Sequence, residues 1–170
     1  IDAYLADIQE MLADYENQQV IIHSDILNHR PIHEYPPERV EALAQDRDRV
    51  HMRIVDFHSY SLAAKKMSLH RKVTEFVSHM FRDDVMLLQT LTFTRSSEQA
   101  AHQDFAYVPA HIPSQLCAAW FALEDISPDS GPLAYIPGSH ANRKFDWGDG
   151  IFRTENSDRD EGEFAAHLHE

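Results

Sequence analysis

"AAHQDFAYVP", residues 100–109, decides how the rest of the chain is read. It sets His102 and Asp104 two residues apart in a run of strand-like composition. Residues i and i+2 of a strand project to the same face. The spacing therefore predicts one imidazole nitrogen and one carboxylate oxygen aimed at a common point, with Gln103 turned away. A neutral imidazole and a carboxylate form a partial ligand set for a divalent first-row metal. By itself the pair reads more simply as a surface or capping pair, because the chain holds 12 histidines. What surrounds it has to decide.

The chain has 170 residues, the length of one domain, and is 43% hydrophobic and 10% aromatic. Those values belong to a globular protein with a sizeable core. The formal net charge of −13 repels phosphate backbones and disfavours a nucleic-acid partner. Cys117 is the single cysteine, which leaves no internal disulfide and fits a reducing, cytoplasmic setting. No signal peptide or membrane span is legible. The sequence starts at Ile1 without Met and ends in helix-like residues. It reads as a fragment of a longer protein.

Helical periodicity dominates the first half. Ile1, Tyr4, Leu5, Ile8, Met11, Leu12 and Tyr15 predict an amphipathic helix over 1–16. "PPERVEALAQ" (36–45) opens a second, with Pro37 in its first turn. "SLHRKVTEFVSHMF" (68–81) predicts a third, capped by Ser68 and buried along Leu69, Val73, Phe76, Val77 and Met80. Strands follow: one near 50–57, then 85–95, 115–125 and 131–137. Helices followed by strands give the α+β pattern. The polar, acidic stretch 145–164 reads as a long surface loop. Cys117 in its apolar run reads as a small buried hydrophobe. His23, His29, His33, His51, His58, His70 and His79 read as surface or capping residues.

Several elements around the opening stretch occur in one order. "HQD" is followed by an aromatic segment, by Trp120 on an apolar run, by "LEDI" (123–126), by "SGPL" and by "PGSH" (137–140). In this the chain resembles the phytanoyl-CoA dioxygenase family of Fe(II)- and 2-oxoglutarate-dependent oxygenases. The detailed match covers about residues 84–144. The resemblance implies that His102 and Asp104 are two iron ligands, and that Trp120 lines the 2-oxoglutarate pocket. It implies that the 88–94 strand contacts the same co-substrate, through the face carrying Gln89, Leu91 and Phe93 rather than the threonine face. Gln103 matches a position linked to substrate in some relatives. Phe105 and Tyr107 are candidate substrate contacts, with core packing as the plain alternative. The turn holding Pro137, Gly138 and His140 is placed near the site mouth. The family's third iron ligand is a later histidine, and its 2-oxoglutarate-binding Arg comes about ten residues further on. Here His167 and His169 follow "PGSH" outside any matching context, as do Arg143, Arg153 and Arg159.

The expected fold is α+β: a double-stranded β-helix (jelly roll) with N-terminal helices, and with C-terminal strands missing from this chain. Residues 1–170 are expected to form a single, incomplete oxygenase domain: 1–82 mainly helical, 83–144 the jelly-roll strands with the metal motif, and 145–170 an acidic loop and helix start. The expected activity is a dioxygenase that hydroxylates or oxidises a small organic substrate with O₂ and 2-oxoglutarate, releasing succinate and CO₂. Related halogenases lack the carboxylate that Asp104 supplies, which favours hydroxylation. The alternatives are a non-catalytic metal- or ligand-binding jelly roll and a structural protein that keeps "HQD" by ancestry.

Overall fold

A computed structural model of the chain describes residues 1–24, 30–45, 51–95, 99–108, 110, 112, 115–148 and 150–168. It forms two compact units. The first is Ile1–Ser97 with Phe121–Asp125, and the second is Glu98–Trp120 with Ile126–Glu170.

The first unit sets helices against a small antiparallel sheet. Strands β1 (Ile21–Ser24), β2 (Arg30–Pro31), β3 (Met52–Val55) and β4 (Leu91–Phe93) pair in the order β2-β1-β3-β4. Ile22 lies opposite Ile54, and Ile54 opposite Thr92. Ile22 and Ile54 are fully buried, so the register places two β-branched side chains together at the sheet centre. Helix α1 (Asp2–Ala13) buries Tyr4, Ile8, Met11 and Leu12 on this core. Those four are the inner part of the predicted stripe; Ile1 and Leu5 are exposed. The Tyr4 hydroxyl meets the Thr92 hydroxyl, so a polar contact ties α1 to β4. Helix α2 (Pro37–Gln45) adds Val40 and Leu43.

The sequence reading needs three corrections here. Ser68 does not cap the third predicted helix. It ends an additional helix, α3 (Leu62–Ser68), whose own N-cap is Ser61: its Oγ accepts from the Ala64 N–H at 2.9 Å. The next helix, α4 (Arg71–Phe81), is capped by the His70 ring, which accepts from Lys72 N–H. The predicted buried stripe of α4 is not buried. Leu69, Phe76 and Met80 are exposed, and no residue of α4 is fully covered. Strand β1 was not expected at all.

Residues 115–125 and 131–137 were expected as strands, yet they run without ladder partners among the described residues. An apolar run becomes a strand only when a second segment accepts and donates its backbone hydrogen bonds. Cys117 in this run is exposed, not buried.

In the second unit the aromatics of the expected surface loop form the core. Phe145, Trp147 and Phe164 are buried with Ala106, and their rings lie 4.8–5.3 Å apart at steep angles. Edge-to-face and tilted contacts of this kind suit the ring quadrupoles. Phe164 comes from helix α5 (Glu161–His167), which Asp160 caps by accepting the Glu163 N–H. Two positive-φ glycines, Gly148 and Gly150, turn the chain beside Trp147, whose backbone N–H donates to the Gly150 carbonyl at 2.7 Å. Acidic composition hid these aromatics, because their neighbours Asp146, Asp158 and Asp160 stay in solvent.

Candidate metal centre

His102 and Asp104 belong to the second unit, on a segment held from two sides. The Gln103 amide donates to the Arg143 carbonyl at 3.1 Å and accepts from the Phe145 N–H at 2.9 Å. Ala106 anchors the next turn in the aromatic core. Between these fixed points the chain is not a strand. Residue 102 is irregular, and Asp104–Ala106 form a 3₁₀ turn. The expected strand alternation is thus replaced by a turn, because the Ala106 and Tyr107 N–H groups bond back to Gln103 and Asp104 instead of to a neighbouring strand.

The turn nevertheless brings the two side chains together. His102 Nε2 lies 3.2 Å from Asp104 Oδ1. His102 Nδ1 lies 2.8 Å from the Ala100 carbonyl. A carbonyl can only accept, so Nδ1 carries the proton and donates, and in the neutral ring the lone pair is left on Nε2. Metal-ligating histidines are oriented by such a second hydrogen bond. Two cis ligands each about 2.1 Å from one ion lie about 3.0 Å apart. The observed spacing suits that arrangement, so the pair fits two positions of a divalent metal. The imidazole is 27% exposed and the carboxylate 51%, which leaves the pair open to an incoming ion.

Within the pair each group favours the charged form of the other. The Asp104 hydrogen bond raises the His102 pKa above its ordinary value, with burial opposing. The same bond from His102 holds the Asp104 carboxyl below the usual carboxylate range, again against burial.

The other predicted residues are placed as follows. Tyr107 meets the His102 ring edge-on, with centroids 5.5 Å apart at 81°. Burial pushes its phenol above the ordinary value. Phe105 is half-buried under the Lys144 ammonium, 5.0 Å from the ring centre. His140 is exposed in a 3₁₀ turn, Ser139–Ala141, that follows positive-φ Gly138. Trp120 is 52% exposed in the second unit. Gln89 and Leu91 are exposed in the first unit. Leu91 and Phe93 turn outward from β4, while Thr92 turns into the core. Among the described residues no group of three or more His, Cys, Asp or Glu side chains converges to hold a metal ion. His167 is engaged elsewhere, with Nε2 2.8 Å from the Arg143 carbonyl. His169 and His29 lie outside the described residues. Of the other histidines, His33 and His58 hold hydrogen bonds within the first unit.

Sequence reasoning missed Arg153, Arg159 and the loop they stand on as neighbours of the motif. The Arg153 N–H donates to the Ala106 carbonyl at 3.0 Å. Its guanidinium lies over Trp147, and that of Arg159 lies over Phe145, 4.2 Å from the ring centre. Alternation of Arg with acidic residues in "FRTENSDRDEGE" was the only available signal.

The family model for phytanoyl-CoA dioxygenase matches residues 37–167, most of the chain and parts of both units. The chain belongs to the phytanoyl-CoA dioxygenase family. Members of this family are typically iron- and 2-oxoglutarate-dependent dioxygenases. No curated protein and no solved structure matches the chain. Among the described residues no helix is long and apolar enough to cross a membrane.

Proposed function

We propose that the chain is the iron-binding part of an Fe(II)- and 2-oxoglutarate-dependent dioxygenase acting on a small organic substrate. The observation that carries this reading is the approach of His102 Nε2 to Asp104 Oδ1, with Nδ1 committed to the Ala100 carbonyl. When bound, iron supplies the redox chemistry that couples 2-oxoglutarate decarboxylation to substrate oxidation. The chain's part is to present Nε2 and a carboxylate oxygen in cis, and Gln103 and Ala106 hold that geometry. Gln89, Leu91 and Trp120 contact 2-oxoglutarate in this reading. Among the described residues no third protein ligand converges on the pair. Both units then belong to one jelly-roll domain, as the span of the family match supports. The single cysteine supports a reducing, cytoplasmic site of action.

The test is an anaerobic Co(II) titration of the 170-residue chain, followed by its visible absorption, with His102→Ala and Asp104→Ala alongside. Saturable binding lost in both variants supports the reading, and equal binding in all three ends it. Succinate release with Fe(II), 2-oxoglutarate and O₂, measured on the full-length protein, separates an enzyme from a metal-binding module.

A further inference from the structure

Three segments far apart in the chain meet at one backbone carbonyl in the second unit. The Arg143 oxygen accepts from the Gln103 side-chain amide at 3.1 Å and lies 2.8 Å from His167 Nε2. A carbonyl has two lone pairs and no proton, so Nε2 carries the proton and donates, and both lone pairs are engaged. Arg143 stands in irregular chain between the turn Ser139–Ala141 and Phe145. It belongs to no helix or ladder that would orient its carbonyl. The two side chains orient it instead.

His167 is placed to act as the anchor. It follows buried Phe164 by three residues on α5, so the two share a helix face. Its ring also packs on Phe145, with centroids 5.4 Å apart at 52°. The Phe145 N–H in turn donates to Gln103 Oε1 at 2.9 Å. Residues 143–145 thus grip the Gln103 amide at both ends, and α5 grips those residues through one imidazole. Gln103 stands between His102 and Asp104, and its own carbonyl accepts the Ala106 N–H that closes their turn.

We propose that His167 is a positioning residue of the metal centre. By donating to the Arg143 carbonyl it fixes the peptide that holds Gln103, and through Gln103 the turn that presents His102 and Asp104. Its bearing on a metal rests on the iron-centre reading; the hold on the turn does not. The role differs from that of a ligand, because a protonated Nε2 bonded to a carbonyl has no lone pair to offer an ion.

The experiment compares His167→Phe, which keeps a ring against Phe145 and loses the donor, with His167→Gln, which keeps an amide donor and loses the ring. Amide hydrogen exchange and an anaerobic Co(II) titration are read on each 170-residue chain. In His167→Phe the Ala106 and Tyr107 N–H groups of the turn are expected to exchange faster by about threefold or more, while the Trp147 and Phe164 N–H groups keep their protection. Co(II) affinity is expected to fall about threefold, less than the loss of about tenfold or more that follows removal of a group bonded to the ligand itself. His167→Gln is expected to restore both. Combined with Gln103→Ala, His167→Phe is expected to weaken Co(II) binding no further than Gln103→Ala alone, since both break one chain of contacts. Equal release of the Trp147 and Phe164 amides would make His167 merely structural and overturn the proposal. A Gln variant as weak as Phe, or losses that add in the double variant, overturns it as well. Co(II) bound at full affinity by His167→Phe, with the turn amides unchanged, ends the proposal and leaves the iron centre standing. If the unaltered chain binds no Co(II) and the turn amides respond as expected, the iron-centre reading falls and His167 keeps its hold on the turn.

Discussion

The two units are held by different forces. Among the described residues the first has a core of fourteen buried residues drawn from α1, α2, α3, the sheet and the turns between them. The second has four, three of them aromatic, and depends on side-chain hydrogen bonds and stacked arginines to fix its loops. The candidate site stands on the second. Extensive burial makes a rigid scaffold with no polar group to spare. A small aromatic centre surrounded by polar clamps leaves an imidazole and a carboxylate near solvent, where an ion can reach them. The opposite arrangement, with the pair inside the larger core, would impose a large desolvation cost on both charges.

The largest expected effects test the two cores against each other. Trp147 is 1% exposed, and Trp147→Ala should cost about 3–5 kcal/mol. Ile54, fully buried at the sheet centre, should cost about 2–5 kcal/mol as Ile54→Ala. Amide hydrogen exchange followed residue by residue distinguishes them. Trp147→Ala should deprotect Asp104–Tyr107 and α5 first, and Ile54→Ala should deprotect β1 and β3 first. If both variants release the same amides together, the units form a single cooperative core and the comparison fails.

Next in size is the clamp. Gln103→Ala removes two hydrogen bonds and leaves the Phe145 N–H without its partner, at about 1–3 kcal/mol. It should also reduce Co(II) affinity about tenfold, as loss of support behind metal ligands does. Gln103→Glu, which keeps the acceptor for Phe145 N–H and loses the donor to Arg143, should fall between. A Co(II) affinity unchanged in Gln103→Ala would show that the turn holds the pair without help.

A smaller effect is expected where the first unit departs from its own pattern. Phe76 is 67% exposed on α4, so Phe76→Ser should change stability by no more than about 0.5 kcal/mol in chemical denaturation of the 170-residue chain. A loss of 2 kcal/mol or more would mean that this face is covered in solution.

What could be read from the sequence follows the range of the interactions. Tyr4, Ile8, Met11 and Leu12 recur at helical spacing, and a helix makes its own hydrogen bonds, so α1 was legible. So was the approach of His102 to Asp104, since two residues of separation leave few arrangements. The turn that achieves it was not, because strand-like composition in 100–109 says nothing about whether a partner strand is present. The same limit explains 115–125, an apolar run whose pairing depends on distant residues. Phe145 and Trp147 were passed over for another reason. Their acidic neighbours lower the mean hydropathy of the window, although two aromatics two residues apart are enough to found a small core. The exposed stripe of α4 shows the converse: amphipathic spacing identifies the face able to be buried and leaves open what covers it.

An effect of comparable size is expected in the pH dependence of the pair. The folded His102 pKa is raised, chiefly by its hydrogen bond to Asp104. Its stabilisation is therefore complete below the unfolded value, near 6.5, and is lost as pH rises through the folded pKa. The Asp104 pKa is lowered by the same bond, so its contribution is present above 3.8 and is lost as pH falls through the folded pKa. Between those limits the pair stabilises the chain by the roughly 0.2–1 kcal/mol typical of a half-exposed ion pair. His102→Ala should flatten the pH profile of chemical denaturation at both ends, and a profile that keeps both slopes in this variant assigns them to other groups. Metal binding should show the opposite trend on the alkaline side. Once His102 loses its proton, Nδ1–H still faces the Ala100 carbonyl, so the lone pair on Nε2 and those of the carboxylate face each other. A cation between them relieves that repulsion. Co(II) affinity should accordingly rise with pH until His102 is neutral and then level off, whereas an affinity independent of pH across that range would place the ion away from His102.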